Sequence, residues 1–187
     1  GFSDLLDPDL LDRGGALAVL ADRMGGHALG RAARQIAVKT LLDGYARKSP
    51  DEPIPAALHR LLHDANAAVR ELAEREGERD NAGTTLAAVV IHRQELHWIA
   101  VGDSRIYLIR DRKVIQLTVD HTWANEVVRE GKLSAVEANR HPNAGLLARS
   151  VGHESKVRVD LGLYLNAAND TKEEALNHQG LLLTPND

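Results

Sequence analysis

Two aspartates stand directly behind apolar stretches of the chain. Asp22 follows the run at 16–21, Asp103 follows the run at 98–102, and glycines lie close to both. A carboxylate at the mouth of a buried strand is a ligand of the type that hard cations such as magnesium or manganese prefer. The alternative is that each aspartate only begins a turn, where Asp and Gly are common.

Histidine offers a second possibility for metal chemistry. His59 and His63 are four residues apart in a predicted helix, so they share one face, which is the spacing of a two-histidine metal pair. No glutamate stands beside His59 in a metalloprotease arrangement, and the chain has no cysteine. We therefore favour the alternative, a solvent-exposed helix face.

The composition limits the classes of protein to consider. The 187 residues are 43% apolar and 27% charged, which indicates one globular domain over 1–187 with a core of Leu, Val, Ile and Ala, since only one Phe, two Trp and three Tyr are present. A net charge of −4 without a Lys/Arg run disfavours nucleic acid as a partner. No apolar run approaches a membrane span and no signal peptide opens the chain, so we expect no membrane association.

The spacing of apolar residues predicts the elements that position these side chains. A short strand at 16–21 is followed by a helix from Ala28 to about Ala46, a loop at 47–55 and a second helix over 58–73. The β-branched segments 85–92, 96–101, 106–110 and 114–117 predict an antiparallel meander of about four strands.

Shorter elements complete the prediction. Two short helices follow the meander, and Ser134 with Glu137 gives the second a capping-box signature, before His141-Pro142 breaks it. Strands are expected within 156–165 and 180–184, and a helical turn at 171–179. Runs of helices and runs of strands indicate an α+β fold.

Several motifs together resemble one known family. Residues 21–27 (ADRMGGH), 83–86 (GTTL), 101–108 (VGDSRIYL) and 116–122 (QLTVDHT) resemble, in order and spacing, the ADGMGGH, GTTL, VGDSRxYL and QLTxDHT elements of the metal-dependent Ser/Thr protein phosphatases, the PPM or type 2C family. Residues 125–152 are similar to the flap of its bacterial members, so we expect a flap-like region at about 122–152.

The resemblance implies an αββα sandwich, in which helices flank two antiparallel sheets and a two-metal centre lies at one edge. It also implies catalytic roles for Asp22 and Asp103 through magnesium or manganese. Asp22 would bridge both metals, the backbone carbonyl of Arg23 would bind one of them, and Asp103 would belong to an additional, weaker site. Two such cations activate a bridging water and neutralise charge on a phosphoryl group.

The sequence departs from the family pattern at the positions that carry the chemistry. Arg23 replaces a glycine, Asp4 falls where the family has its phosphate-binding arginine, and Asn186 falls where the family has a metal-binding aspartate. Pro8 replaces an acid of the same N-terminal segment, of which Asp9 alone matches; a one-residue shift would place Asp187 in the role of Asn186. The family's closing helices, strand and last metal aspartate have no counterpart, so we expect the C-terminal elements of the sandwich to be missing. The phosphate-binding residues are left unassigned.

These departures separate three functional hypotheses. The first is an impaired, phosphatase-like domain that binds a phosphoprotein or a Ser/Thr kinase signalling partner, with the Arg23 guanidinium replacing a metal beside Asp22 or Asp103. The second is an active Mg/Mn-dependent Ser/Thr protein phosphatase. The third is an oligomerisation module, because an incomplete sheet leaves an edge that another chain can pair. The resemblance also implies a cytoplasmic location.

Overall fold

The structure is a computed structural model that describes residues 11–12, 14–24, 28–78, 82–162, 181–185 and 187, with residues 23, 24 and 28 described by their backbone alone. The helices are α1 (Ala28–Ala46), α2 (Ile54–Arg75), α3 (Trp123–Arg129) and α4 (Ala135–Arg140). The strands are β1 (Ala16–Leu20), β2 (Arg23–Met24), β3 (Gly83–Thr84), β4 (Leu86–His92), β5 (Glu95–Val101), β6 (Tyr107–Arg110), β7 (Lys113–Gln116), β8 (Asp160–Leu161) and β9 (Leu181–Leu182).

The two long helices and the first strand agree with the sequence prediction. The predicted loop at 47–55 ends earlier, because α2 already begins at Ile54 with Pro53 as its N-cap and Pro55 in its first turn. Proline suits a first helical turn, where its missing N–H has no intrahelical partner to lose. The capping box between Ser134 and Glu137 is present at the start of α4, as predicted. The predicted helical turn at 171–179 lies outside the described residues.

The core lies between the two long helices and one face of a five-stranded antiparallel sheet. This sheet has the order β1-β4-β5-β8, and β9 also pairs with β5. Its helix-facing core is mainly aliphatic, as predicted, and includes Leu17, Leu41, Leu58, Leu62, Leu86, Val90, Ile99 and Val101. The two helices approach closely at Gly44, where an added Cβ would lie 2.1 Å from Leu61 Cδ2. The α+β prediction is confirmed.

The prediction of one four-stranded meander is wrong. β4 and β5 pair within the main sheet, whereas β6 and β7 form a separate two-stranded sheet. The chain leaves the main sheet at Gly102, whose φ of +100° is a conformation that side chains rarely adopt. Apolar alternation fixes each strand locally and carries no information on which neighbour it joins.

None of the helices in the described part of the chain combines the length and the apolarity needed to cross a bilayer.

Candidate metal centre

The structure brings the two predicted aspartates to the same end of the main sheet. β1 and β5 both run antiparallel to β4, so they point in the same direction. Their last residues face the beginning of β4, with Leu20 opposite Ala87 and Val101 opposite Leu86. Asp22 and Asp103 follow these strand ends, and both are exposed to solvent. The two aspartates, which the motifs predict separately at two strand ends, therefore lie at the same end of one sheet.

The backbone of Asp22 is held by two buried threonines. Its carbonyl accepts hydrogen bonds from Thr85 N at 2.9 Å and from Thr84 Oγ1 at 2.7 Å, and its own N–H donates to Thr85 Oγ1 at 3.0 Å. Both threonines are 2% exposed or less. The exposed side chain of Asp22 therefore projects from a fixed backbone.

The same Thr85 hydroxyl reaches the loop that carries Asp103. Thr85 Oγ1 lies 2.6 Å from Ser104 Oγ, within hydrogen-bond distance. The adjacent Gly102 packs on the Thr85 side chain, since an added Cβ would lie 2.6 Å from Thr85 Cγ2. Thr85 therefore joins the backbone at Asp22 to the loop at Asp103. Thr85 belongs to the GTTL motif, but no pattern in the sequence indicates this role.

The backbone carbonyl of Arg23 takes no part in the hydrogen bonds between β2 and β3. Arg23 and Thr84 face each other in the ladder, yet Thr84 N and O both bond to Val151, at 3.1 and 2.9 Å. In an antiparallel ladder this makes Arg23 and Thr84 a pair without mutual hydrogen bonds, so the Arg23 carbonyl points away from β3. The Arg23 guanidinium lies outside the described atoms, so its predicted place beside Asp22 or Asp103 stays a prediction.

Several predicted positions fall outside the described residues: Asp4, Pro8, Asp9 and Asn186. Asp187, the alternative to Asn186, has its carboxylate bound to protein groups. Arg110 Nε and Nη2 donate to it at 2.6 and 2.5 Å, and Thr184 N donates at 2.6 Å. The hydrogen bonds from Arg110 are the largest cause that lowers the pKa of Asp187. These contacts do not favour Asp187 as a metal ligand.

A buried polar chain links the Asp103 loop to residues 122–152, the segment that the sequence predicts to be a flap. Gly102 N donates to His121 Nδ1 at 3.1 Å, and His121 Nε2 lies 3.0 Å from Asp160 Oδ2, although their alignment is not that of a hydrogen bond. Asp160 Oδ1 is 3.4 Å from Arg149 Nη1, and Arg149 Nη2 donates to Glu126 of α3. The Arg149 side chain is only 8% exposed. No pattern in the sequence indicates a role for Arg149 or Asp160.

The ligand atoms at this end of the main sheet are of the chemical type that suits a hard cation. Two exposed carboxylates, those of Asp22 and Asp103, and the outward carbonyl of Arg23 are oxygen ligands of the type that magnesium and manganese take. Within the described residues, no three His, Asp or Glu side chains are grouped closely enough to hold a metal ion. His59 and His63 lie elsewhere, on the α2 face that borders a cleft beside α3.

Comparisons with known proteins agree with this architecture. Residues 12–130 match the family model described as Protein phosphatase 2C. The chain is 35% identical over 147 residues to the serine/threonine phosphatase stp of Listeria welshimeri, covering 77% of this chain and 58% of that protein. It is 37% identical over 150 residues to the serine/threonine protein phosphatase PstP of Mycobacterium tuberculosis, covering 78% of this chain and 28% of that protein.

Solved structures show the same fold. The crystal structure of the Mycobacterium tuberculosis phosphatase PstP/Ppp aligns with a TM-score of 0.67 at 35% identity, covering 79% of this chain and 63% of that one. The structure of the S. agalactiae serine/threonine phosphatase aligns with a TM-score of 0.70 at 33% identity, covering 78% of this chain and 61% of that one. The chain thus spans less than two thirds of these relatives. The predicted α+β fold of PPM type is confirmed, and the chain belongs to the protein phosphatase 2C family.

Proposed function

We propose that this chain is a PPM domain of bacterial phosphoprotein signalling whose metal-dependent phosphatase activity is impaired. The observation that carries the proposal is Arg23, which stands where the resembling family motif has glycine. Its backbone is placed directly after Asp22 and against Thr84. A guanidinium next to a cation site repels the metal and competes for the same carboxylates.

Two further departures in the sequence point in the same direction. Asn186 takes the place of a metal-binding aspartate in the family pattern, which removes one negative charge from a site for two dications. Asp4 takes the place of the phosphate-binding arginine, so a carboxylate would stand where a phosphate must dock. The first change weakens metal binding, and the second weakens binding of the phosphate group.

Magnesium or manganese would be held by Asp22, by the carbonyl of Arg23 and, at the weaker position, by Asp103. The bound cation supplies an activated water and neutralises charge on the phosphoryl group. Thr84 and Thr85 hold the backbone of Asp22 by hydrogen bonds. The contact between Thr85 and Ser104 links this backbone to the loop that carries Asp103. The chain's own contribution is therefore a fixed backbone that presents exposed oxygen ligands.

The second candidate is an active Mg/Mn-dependent protein Ser/Thr phosphatase, which hydrolyses phosphoprotein through metal-activated water. The observation that favours it is the backbone at 22–23, since Asp22 is anchored by three hydrogen bonds and the Arg23 carbonyl points away from β3. A carbonyl ligand does not depend on the side chain of its residue. The two candidates therefore share a fold and a ligand frame and differ in whether metal binds productively.

Manganese titration by calorimetry and turnover of a small aryl phosphate distinguish the two candidates. The proposal expects weak manganese binding and turnover at the level of the Asp22→Asn variant. Saturable manganese binding with metal-dependent turnover that Asp22→Asn abolishes would establish the active phosphatase instead. A melting curve of each protein without metal confirms that the variant is folded.

We propose a cytoplasmic phosphoprotein or a Ser/Thr kinase as the partner class, because the domain type acts on phosphorylated serine or threonine.

Self-association through a sheet edge is the other mode of interaction that we propose. The position of β1 supports it, since β1 lies at the end of the strand order in the described sheet. Light scattering over a range of concentrations tests it: a constant monomer mass would exclude pairing of this edge.

A further inference from the structure

Two histidine rings on α2 converge on one point in space. His59 Nε2 and His63 Nε2 are 3.2 Å apart, whereas the ring centres are 4.5 Å apart. The two Nε2 atoms are thus closer to each other than the two ring centres are, and the ring planes are inclined to each other by 53°. From this geometry we infer that His59 and His63 form a second metal site, for a borderline divalent ion such as zinc, nickel or copper.

The separation of the two nitrogens is that of two ligands on one ion. Imidazole nitrogens bind zinc at about 2.0–2.1 Å, so two nitrogens 3.2 Å apart subtend an angle of about 100° at a shared ion. This angle is near the tetrahedral value that zinc prefers. A hydrogen bond between the rings needs a proton between the two nitrogens, and binding of the metal ion would displace that proton.

The helix beneath the pair is already ordered. α2 has 22 residues, and Leu58 and Leu62, each directly before one of the histidines, are fully buried in the core. Both histidines are half-buried, so their rings lie against the protein with part of their surface in solvent. Binding therefore fixes little additional chain, which lowers the entropy cost of forming the site.

The surroundings of the pair leave part of the coordination sphere to solvent. The pair lines a cleft of about 1070 Å³ together with Asp120, Glu126 and Asp160. Asp120 accepts from Arg105, Glu126 pairs with Arg149 and Arg129, and Asp160 lies against His121 and Arg149. Water completes the coordination, because the nearby carboxylates are bound to these cations.

The chemistry separates this site from the sheet-end aspartates. Imidazole suits zinc, nickel and copper, whereas carboxylate and carbonyl oxygens suit magnesium and manganese. Lys156 and Arg158 line the same cleft, and their charge opposes cation binding. We therefore expect a moderate affinity carried by the nitrogen ligands rather than by the local electrostatic potential.

Zinc alone, titrated by calorimetry into the full chain with excess magnesium present, tests the inference. We expect one saturable zinc site, with affinity at least tenfold lower in His63→Gln and in His59→Gln. Zinc should raise the melting temperature of the parent protein and not that of either variant. His141→Gln is the matched control, since His141 is exposed, lies on the flap and does not line the cleft; it should bind zinc as the parent does.

Other outcomes would overturn the inference. Zinc affinity unchanged in His63→Gln, or lowered as much by His141→Gln, would show that the pair is not the site. Asp22→Asn separates this inference from the proposed function: it should retain zinc binding, and loss of zinc binding in Asp22→Asn would place the ion at the sheet end instead. Melting curves without metal show whether each variant is folded.

Discussion

Gly102 and His121 are joined by two hydrogen bonds. Gly102 N donates to His121 Nδ1 at 3.1 Å, and His121 N donates to Gly102 O at 3.0 Å. The side chain and the backbone of one residue thus hold the turn that presents Asp103. Because Nδ1 accepts here, the neutral ring carries its hydrogen on Nε2, which faces Asp160.

His121→Leu tests the importance of this turn. The leucine fills a similar volume but accepts no hydrogen bond, so the buried Gly102 N–H loses its partner. We expect the free energy of unfolding in urea to fall by about 1–3 kcal/mol. His153→Leu, at an exposed position, should change it by less than about 0.5 kcal/mol. Equal effects of the two substitutions would contradict the assigned role.

Thr85 and Ser104 should be energetically coupled. Thr85→Val removes the acceptor for Asp22 N and the partner of Ser104 Oγ, and we expect a loss of about 1–3 kcal/mol in unfolding free energy. In a double-mutant cycle with Ser104→Ala, the two changes should be non-additive by more than about 0.5 kcal/mol. Additive effects would show that the hydroxyl pair does not connect the two loops.

Arg149 should be far more important for stability than Arg129, although both contact Glu126. The Arg149 side chain is 8% exposed and that of Arg129 is 55% exposed. Arg149→Met removes the buried partner of Glu126 and leaves Asp160 facing only the His121 ring among these buried groups, so we expect a loss of about 3–5 kcal/mol. Arg129→Met removes a surface ion pair and should cost about 0–1 kcal/mol. Chemical denaturation of both variants measures the difference, and similar losses would contradict the buried chain.

The pairing of Asp187 with Arg110 should make stability depend on pH in the acid range. Hydrogen bonds from Arg110 hold the pKa of Asp187 below its ordinary value of 3.8. A carboxylate whose pKa is lowered by folding stabilises the folded protein at pH values above its ordinary pKa. This stabilisation is lost as the pH falls below the ordinary pKa and towards the lowered one. The parent protein should therefore be more stable than Asp187→Asn at pH 6, and the difference should shrink as the pH falls below 3.8. A difference that grows on acidification would contradict the pairing.

The same variant tests the alternative position of the metal ligand. Since the Asp187 carboxylate is bound to Arg110 and Thr184, Asp187→Asn should leave manganese binding unchanged. A loss of manganese binding would restore Asp187 as the ligand.

The sequence predicted the local features of the site and missed the contacts that assemble it. Asp22 and Asp103 are predicted as candidate ligands because each follows an apolar run, and the cap at Ser134 is predicted because its partner is three residues away. The Thr85 contact with Asp22 spans 63 positions, and the Arg149 contact with Glu126 spans 23. No periodicity encodes such pairs, and the same limit explains why β6 and β7 were assigned to the wrong sheet. The motif order identified the family because four spaced elements together constrain the fold more than any single one.

The most direct test of the proposed impairment is manganese-dependent turnover of an aryl phosphate by the parent protein and by Arg23→Gly. The substitution restores the family's residue and leaves the backbone carbonyl in place. Our account predicts that Arg23→Gly binds manganese more tightly and turns over at least tenfold faster, and that adding Asp22→Asn abolishes the gain. Turnover in the parent protein that equals that of Arg23→Gly, and that Asp22→Asn abolishes, would contradict it.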